Sequence, residues 1–178
     1  MQPLPETEWT DEQRRMAEPM SSRYGMVFNV LKTLMRNMPL LESWNALAGH
    51  LMTRSSLSPR HRELLIMRVA WKVQSDYEWG QHVLMSREAG LTPEDHARIV
   101  AGPGHADWDE LESALLQAAD ELLDERYISD ATWATLSRLL DEPRILDAIF
   151  TVGQYNMLAM ALKTLHVERE PGVPGFDG

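Results

Sequence analysis

Glu78 and His82 stand four residues apart in "SDYEWGQHVLMSREAG", one helical turn, and Glu63 lies nineteen residues before His82. At that spacing a carboxylate and an imidazole share one helix face. Imidazole exchanges a proton near neutral pH because its unperturbed pKa is about 6.5. A carboxylate against one ring nitrogen fixes the tautomer and makes the other nitrogen a better base. The plainest alternative is a local hydrogen bond from His82 to Glu78 that supports the helix and does nothing else. A metal site is a third reading, with Glu63 or His61 as an added ligand. It lacks the second His-x-x-x-His or Glu-x-x-His pair that would complete a set of N and O ligands, so no metal is expected.

Other polar groups sit where the pattern is apolar. "LLIMRVAWKV", residues 64–73, is apolar almost all round and must be buried on most sides, yet it carries Arg68. An unpaired buried charge costs several kcal/mol, so Arg68 must be paired or functional. A structural ion pair is the ordinary reading; a grip on a substrate carboxylate is the sharper one. Tyr155 and Asn156 interrupt another apolar run and could supply polar groups to a pocket or an interface. Tyr77 and Trp79 flank Glu78 on different faces, with Trp79 assigned to the core and Tyr77 to the substrate wall. Met26, Met35, Met38, Met157 and Met160 read as adaptable core packing.

The elements that must position these residues are helical. Ser58-Pro59 is a strong helix start, and Thr92-Pro93 with Asp95 repeats the device before a stop at Gly102-Pro103-Gly104. Trp108, Leu111, Leu115, Ala118 and Leu122 fall on one face of a further helix. A last helix runs from Glu142-Pro143 to Leu165, and two earlier ones part at Met38-Pro39. The break near Gln74–Asp76 makes a hairpin of residues 59–73 and the Glu78/His82 helix, so Glu63 could reach His82. The expectation is a single all-α domain over residues 1–178, with seven to nine helices and extended arms at about 1–10 and 168–178.

Composition removes several classes of function. There is no cysteine, which excludes thiolate nucleophiles, disulfide redox chemistry and sulfur-ligated zinc. A net charge of −10 argues against nucleic acid and anionic membrane surfaces as partners, though not against a small anionic substrate. Ile145 to Leu165 carries Asp147, Gln154, Asn156 and Lys163, too many polar groups for a membrane span. No charged-then-apolar leader opens the chain, and the expected location is cytoplasmic. No phosphate loop, dinucleotide fingerprint or Gly-x-Ser-x-Gly elbow is present.

"LSPRHRELLIMRVAWKVQSDYEWGQHVLMSREAGLT", Leu57 to Thr92, resembles the signature region of the carboxymuconolactone decarboxylase family, which shares the AhpD-like fold. The carriers are the Arg-x-Arg-Glu-Leu start, the run ending Arg-Val-Ala, and Tyr-Glu-Trp-x-x-His. Similarity extends over roughly residues 20–168. In the redox branch of that family, a Cys-x-x-Cys pair precedes the histidine. Those positions fall on Ser75 and Glu78 here, while the upstream glutamate of the relay is retained as Glu63. The chain thus resembles the cofactor-free, decarboxylase-like branch, and a thiol peroxidase is ruled out by its lack of cysteine.

The resemblance implies an oligomer, a trimer or hexamer, and a role in the breakdown of aromatic compounds. It also implies a lyase needing no cofactor, acting on a small, anionic, carboxylated lactone or ring-derived acid. His82, oriented by Glu63, would move the proton, with Glu78 as second candidate; Arg68, Tyr77, Tyr155 and Asn156 would hold the substrate. An isomerase, dehydratase or lactone hydrolase would use the same apparatus, and a non-catalytic ligand-binding scaffold is the alternative of a different class.

Overall fold

Helix starts written into the sequence set the architecture. In the computed structural model, which describes residues 1–176, a 3-10 turn at Glu6–Glu8 precedes nine α-helices, and no strand occurs among the described residues. They are α1 (Asp11–Tyr24), α2 (Asn29–Leu34), α3 (Met38–Thr53), α4 (Pro59–Lys72), α5 (Asp76–Glu88), α6 (Pro93–Ala101), α7 (Glu110–Asp124), α8 (Asp130–Leu139) and α9 (Glu142–Leu165). The Ser58 side chain accepts the His61 amide and Pro59 takes the first turn of α4, where a missing N–H costs nothing. Thr92 and Asp95 close a reciprocal capping box on α6.

α4 is the axis of the fold because it is apolar on every side. It packs against α5, α6, α7 and α9. Leu65, Ile66 and Val69 face α7, α8 and α9 in one core cluster, while Leu64, Met67 and Ala70 face α5, α6 and α7 in another. A third cluster joins α1, α2 and α3 through Ala17, Leu31, Met35 and Leu41.

Helix α1 was not foreseen: its apolar positions are few and Pro19 stands inside it. The two ends are irregular, as expected of arms, yet they are packed. Trp9 donates its indole N–H to Leu4 O and leans on the third cluster. At the other end Val167 and Glu170 are buried, and the Phe176 ring lies 5.4 Å from Trp71 and 5.5 Å from Trp79.

Helix α9 is long and apolar enough to cross a membrane by length and composition, but half of its most apolar stretch is buried against the rest of the protein. Within it, Asp147 accepts from the backbone of Ser56 and bonds His50 at 3.0 Å. Leu146, Phe150, Met157 and Met160 lie along its outer face and are about half exposed. The methionine reading is corrected here: Met35 is core, whereas Met26, Met157 and Met160 are on the surface. Helical spacing alone could not say which side of an apolar helix faces out.

Candidate active site

The α4–α5 hairpin turns through Gln74, whose φ of 54° is left-handed, and through Ser75, whose amide donates to Ala70 O at 2.9 Å. That tight reversal lays the second turn of α4, with Glu63, beside the second turn of α5, with His82. His82 Nδ1–H donates to Glu63 Oε2 at 2.7 Å, and both side chains are almost wholly buried. Arg62 donates to the other oxygen of Glu63 at 3.1 Å and to Met52 O at 2.9 Å. Burial alone would raise the Glu63 carboxyl, but the His82 imidazole and the Arg62 guanidinium overcome it and hold the carboxyl below its ordinary range. With Nδ1 committed to a carboxylate, Nε2 is the nitrogen free to exchange a proton.

Glu78 behaves in the opposite way. Both carboxyl oxygens are buried without a hydrogen-bond partner, so the local Glu78–His82 bond does not form. Burial pushes its carboxyl up to about 8, which leaves it protonated at neutral pH. Two carboxyls on neighbouring turns thus hold different protonation states because one has a cation and an imidazole and the other has neither.

Both line a cavity of about 910 Å³ bounded by α1, α2, α3, α4, α5 and α9. The Tyr155 ring meets His82 edge-on at 5.1 Å, and its hydroxyl contacts Met52 Sδ at 3.0 Å. Burial, then the charge of Glu63, pushes the Tyr155 phenol well up, so it remains neutral. Met16, Met20, Met52 and Met85 give the wall soft, adaptable contacts. Tyr77 also lines it, accepting from Val30 N at 3.1 Å and donating to Glu170 Oε1 at 2.8 Å.

Two expected substrate ligands lie elsewhere. Arg68 makes a two-pronged ion pair with Asp120, at 2.7 and 2.6 Å, and donates to Ile99 O at 2.6 Å. Its guanidinium is therefore spent on tying α4 to α6 and α7, away from the cavity. Asn156 is half-buried outside the cavity wall. Trp79 is in the core, as its spacing implied. Among the described residues, no three His, Asp or Glu side chains are gathered where they could hold a metal ion.

The fold has counterparts among solved structures. The chain is similar to a peroxidase-related protein from Silicibacter sp. TM1040, at 23% identity, covering 93% of this chain and 88% of that one with a TM-score of 0.84. A peroxidase-related AhpD-core protein from Ralstonia eutropha JMP134 superposes at a TM-score of 0.84, with 18% identity over 95% and 91% of the two chains. The debrominase Bmp8, solved with 2,3,4-tribromopyrrole, gives 0.81 at 12% identity over 96% and 91%. No curated protein matches the sequence. Residues 39–121 match the carboxymuconolactone decarboxylase family. At these identities the solved structures speak for the fold, which is AhpD-like, and the family segment spans α3 to most of α7, including the Glu63, Glu78 and His82 constellation.

Two residues of the cavity wall escaped sequence reasoning. Gln154 lines the cavity with both amide atoms buried and unpartnered. Gln81 also lines it, and its amide donates to Glu170 Oε2. Glu170 further accepts from Asn29 N at 2.5 Å, so one buried carboxylate in the tail fastens α2 and α5. A Pro- and Gly-rich composition hid this packing. The available signal was Gly80, a lone glycine inside a helix, which marks close approach of another backbone.

A β-carbon on Gly80 would collide with the Pro174 carbonyl oxygen and stand 2.8 Å from Val173 Cγ1. Alanine normally favours a helix over glycine by about 1 kcal/mol. Here Gly80→Ala is expected to lower stability by about 1–3 kcal/mol, the usual cost of overpacking. Denaturant unfolding reads the sign, and a more stable variant would show that the tail does not press on α5.

Proposed function

We propose that the protein is a cofactor-free acid–base enzyme, decarboxylase-like in its chemistry, acting on a small carboxylated ring or lactone. The observation that carries this reading is the 2.7 Å Glu63–His82 pair in the wall of a cavity that also holds the buried, protonated Glu78. In the reaction, the C–C bond to the carboxylate breaks and CO₂ leaves. The electron pair passes into the conjugated carbonyl of the substrate, which serves as its own electron sink. Glu78, or His82 through Nε2, then delivers a proton to carbon and is reprotonated from solvent. An apolar wall around the carboxylate favours its loss, since Arg62, the largely buried cation of that wall, is already paired with Glu63. The neighbour that binds 2,3,4-tribromopyrrole supports a ring-sized ligand.

The test is incubation in D₂O with a panel of carboxylated lactones and enol acids. CO₂ release with one deuterium placed at carbon is the expected result. Exchange or rearrangement without CO₂ would assign an isomerase, and inertness toward the whole panel would favour a ligand-binding scaffold.

The exposed Leu146, Phe150, Met157 and Met160 stripe supports assembly with further copies of the chain. Phe150→Glu is expected to reduce the assembly size read by light scattering; a monomeric parent would remove the proposal.

A further inference from the structure

The cavity contains a recognition element that the acid–base residues do not use. Gln154, on α9, is 4% exposed, and neither its amide N–H group nor its carbonyl oxygen has a partner. Leaving both buried and unpaired is costly, because neither recovers the hydrogen bond it made with water in the unfolded chain. An amide presents one donor beside one acceptor in a plane, so its complement is a ligand edge with an acceptor beside a donor. The same cavity wall carries two further unpartnered polar groups, the Trp44 indole N–H and the Glu78 carboxyl.

The charges around this wall are already engaged or outside it. Arg62 and Glu63 neutralise each other, Arg68 is held by Asp120, and Arg15 and Arg23 line the cavity only at its solvent-exposed rim. A carboxylate placed against Gln154 would find one donor, one repelling carbonyl and no buried cation that is not already paired. A neutral ring edge would satisfy both halves of the amide.

We infer that Gln154 reads the substrate, gripping a planar ring through a neutral acceptor–donor edge such as that of a lactam, a hydroxy-enone or an enolised lactone. The carboxylate that leaves is not what the protein holds. This specificity role rests on the preceding reading, in that the cavity is taken as the substrate site. As the ring carbonyl gains negative charge, the Gln154 N–H also bears on it, which makes the same contact stronger along the reaction.

The test is a calorimetric titration of the full chain at pH 6.5, where Glu78 holds its proton. The probes are 2-pyridone, N-methyl-2-pyridone, which lacks the donor, and benzoate, which carries the charge. 2-Pyridone is expected to bind at least tenfold more tightly than either. Gln154→Met keeps length and removes the amide; it should bring 2-pyridone down to the level of N-methyl-2-pyridone without moving the latter. Benzoate binding as well as 2-pyridone, discrimination persisting in Gln154→Met, or no binding by any probe would each overturn the assignment. The two probes differ by one methyl group, so the comparison holds even where the variant folds poorly. Because turnover is not read, a chain that discriminates the probes yet is inert in D₂O would keep this role and lose the enzymatic one. Turnover with no discrimination would do the reverse.

Discussion

Glu78→Gln is expected to flatten the pH dependence of folding stability between about pH 6.5 and 8, a window in which the parent chain loses stability steadily. The folded chain keeps a proton on Glu78 up to about pH 8, while the unfolded chain releases it near the ordinary 4.5. Between those values the folded state binds more protons, so raising the pH favours unfolding, at about 1.4 kcal/mol per pH unit. Over the whole interval the loss is on the order of 5 kcal/mol, and above about pH 8 no more is lost. His61 and His96, both pushed down by burial, act in the opposite sense below their ordinary 6.5 and set the lower edge of the clean window. Glutamine preserves the shape and cannot ionise, so the two histidine contributions cancel in a comparison of parent and variant. Urea unfolding at half-unit pH steps gives the difference directly. Parallel stability curves would mean that Glu78 is ionised in the folded protein, and its place as a proton donor would fall with that result.

The second large effect falls on turnover. His82→Ala is expected to lower kcat by ~10²–10⁴-fold on any substrate that the D₂O panel identifies, the usual worth of a positioned acid or base. KM should change little, because the ring is held from α9 and the methionine wall. The variant should also fold, since Glu63 keeps Arg62 as its counter-ion after the imidazole is gone. Glu63→Gln, which retains a hydrogen bond to Nδ1 but not the charge, should fall between parent and His82→Ala. A near-normal rate in His82→Ala would remove the imidazole from the mechanism and leave Glu78 as the acid.

The parts of this site that were legible in the sequence are those fixed by local rules. Ser58 and Pro59 start α4, and the short break after Lys72 forces α5 back along it, so Glu63 and His82 had to come within reach. Family resemblance added the pairing itself. What stayed hidden depends on contacts distant in sequence. Arg68 needed a carboxylate, but nothing local points to Asp120, 52 residues on. On α9, which is apolar nearly all round, Tyr155 could be placed at the pocket, yet its two polar neighbours were exchangeable on paper: Gln154 faces the cavity and Asn156 does not. Met157 and Met160 failed for the same reason. The tail has no periodicity, and Pro, Gly and charge describe a packed irregular segment as well as a loose one.

The Gln81–Glu170 bond has a consequence in time as well as in space. Gln81 leaves the ribosome 89 residues before the carboxylate it will donate to. A nascent chain that has produced α4 through α9 therefore owns Glu63, Glu78 and His82 while the outer side of α5 is still wet. The same holds for a chain nicked by a protease between Leu165 and Glu170. Such a product would carry Glu63, Glu78 and His82 intact and yet lack the piece that holds α5 against α2. Completion of the cavity is thus tied to the integrity of a segment whose Glu170 bonds Asn29, Tyr77 and Gln81 rather than Glu63, Glu78 or His82.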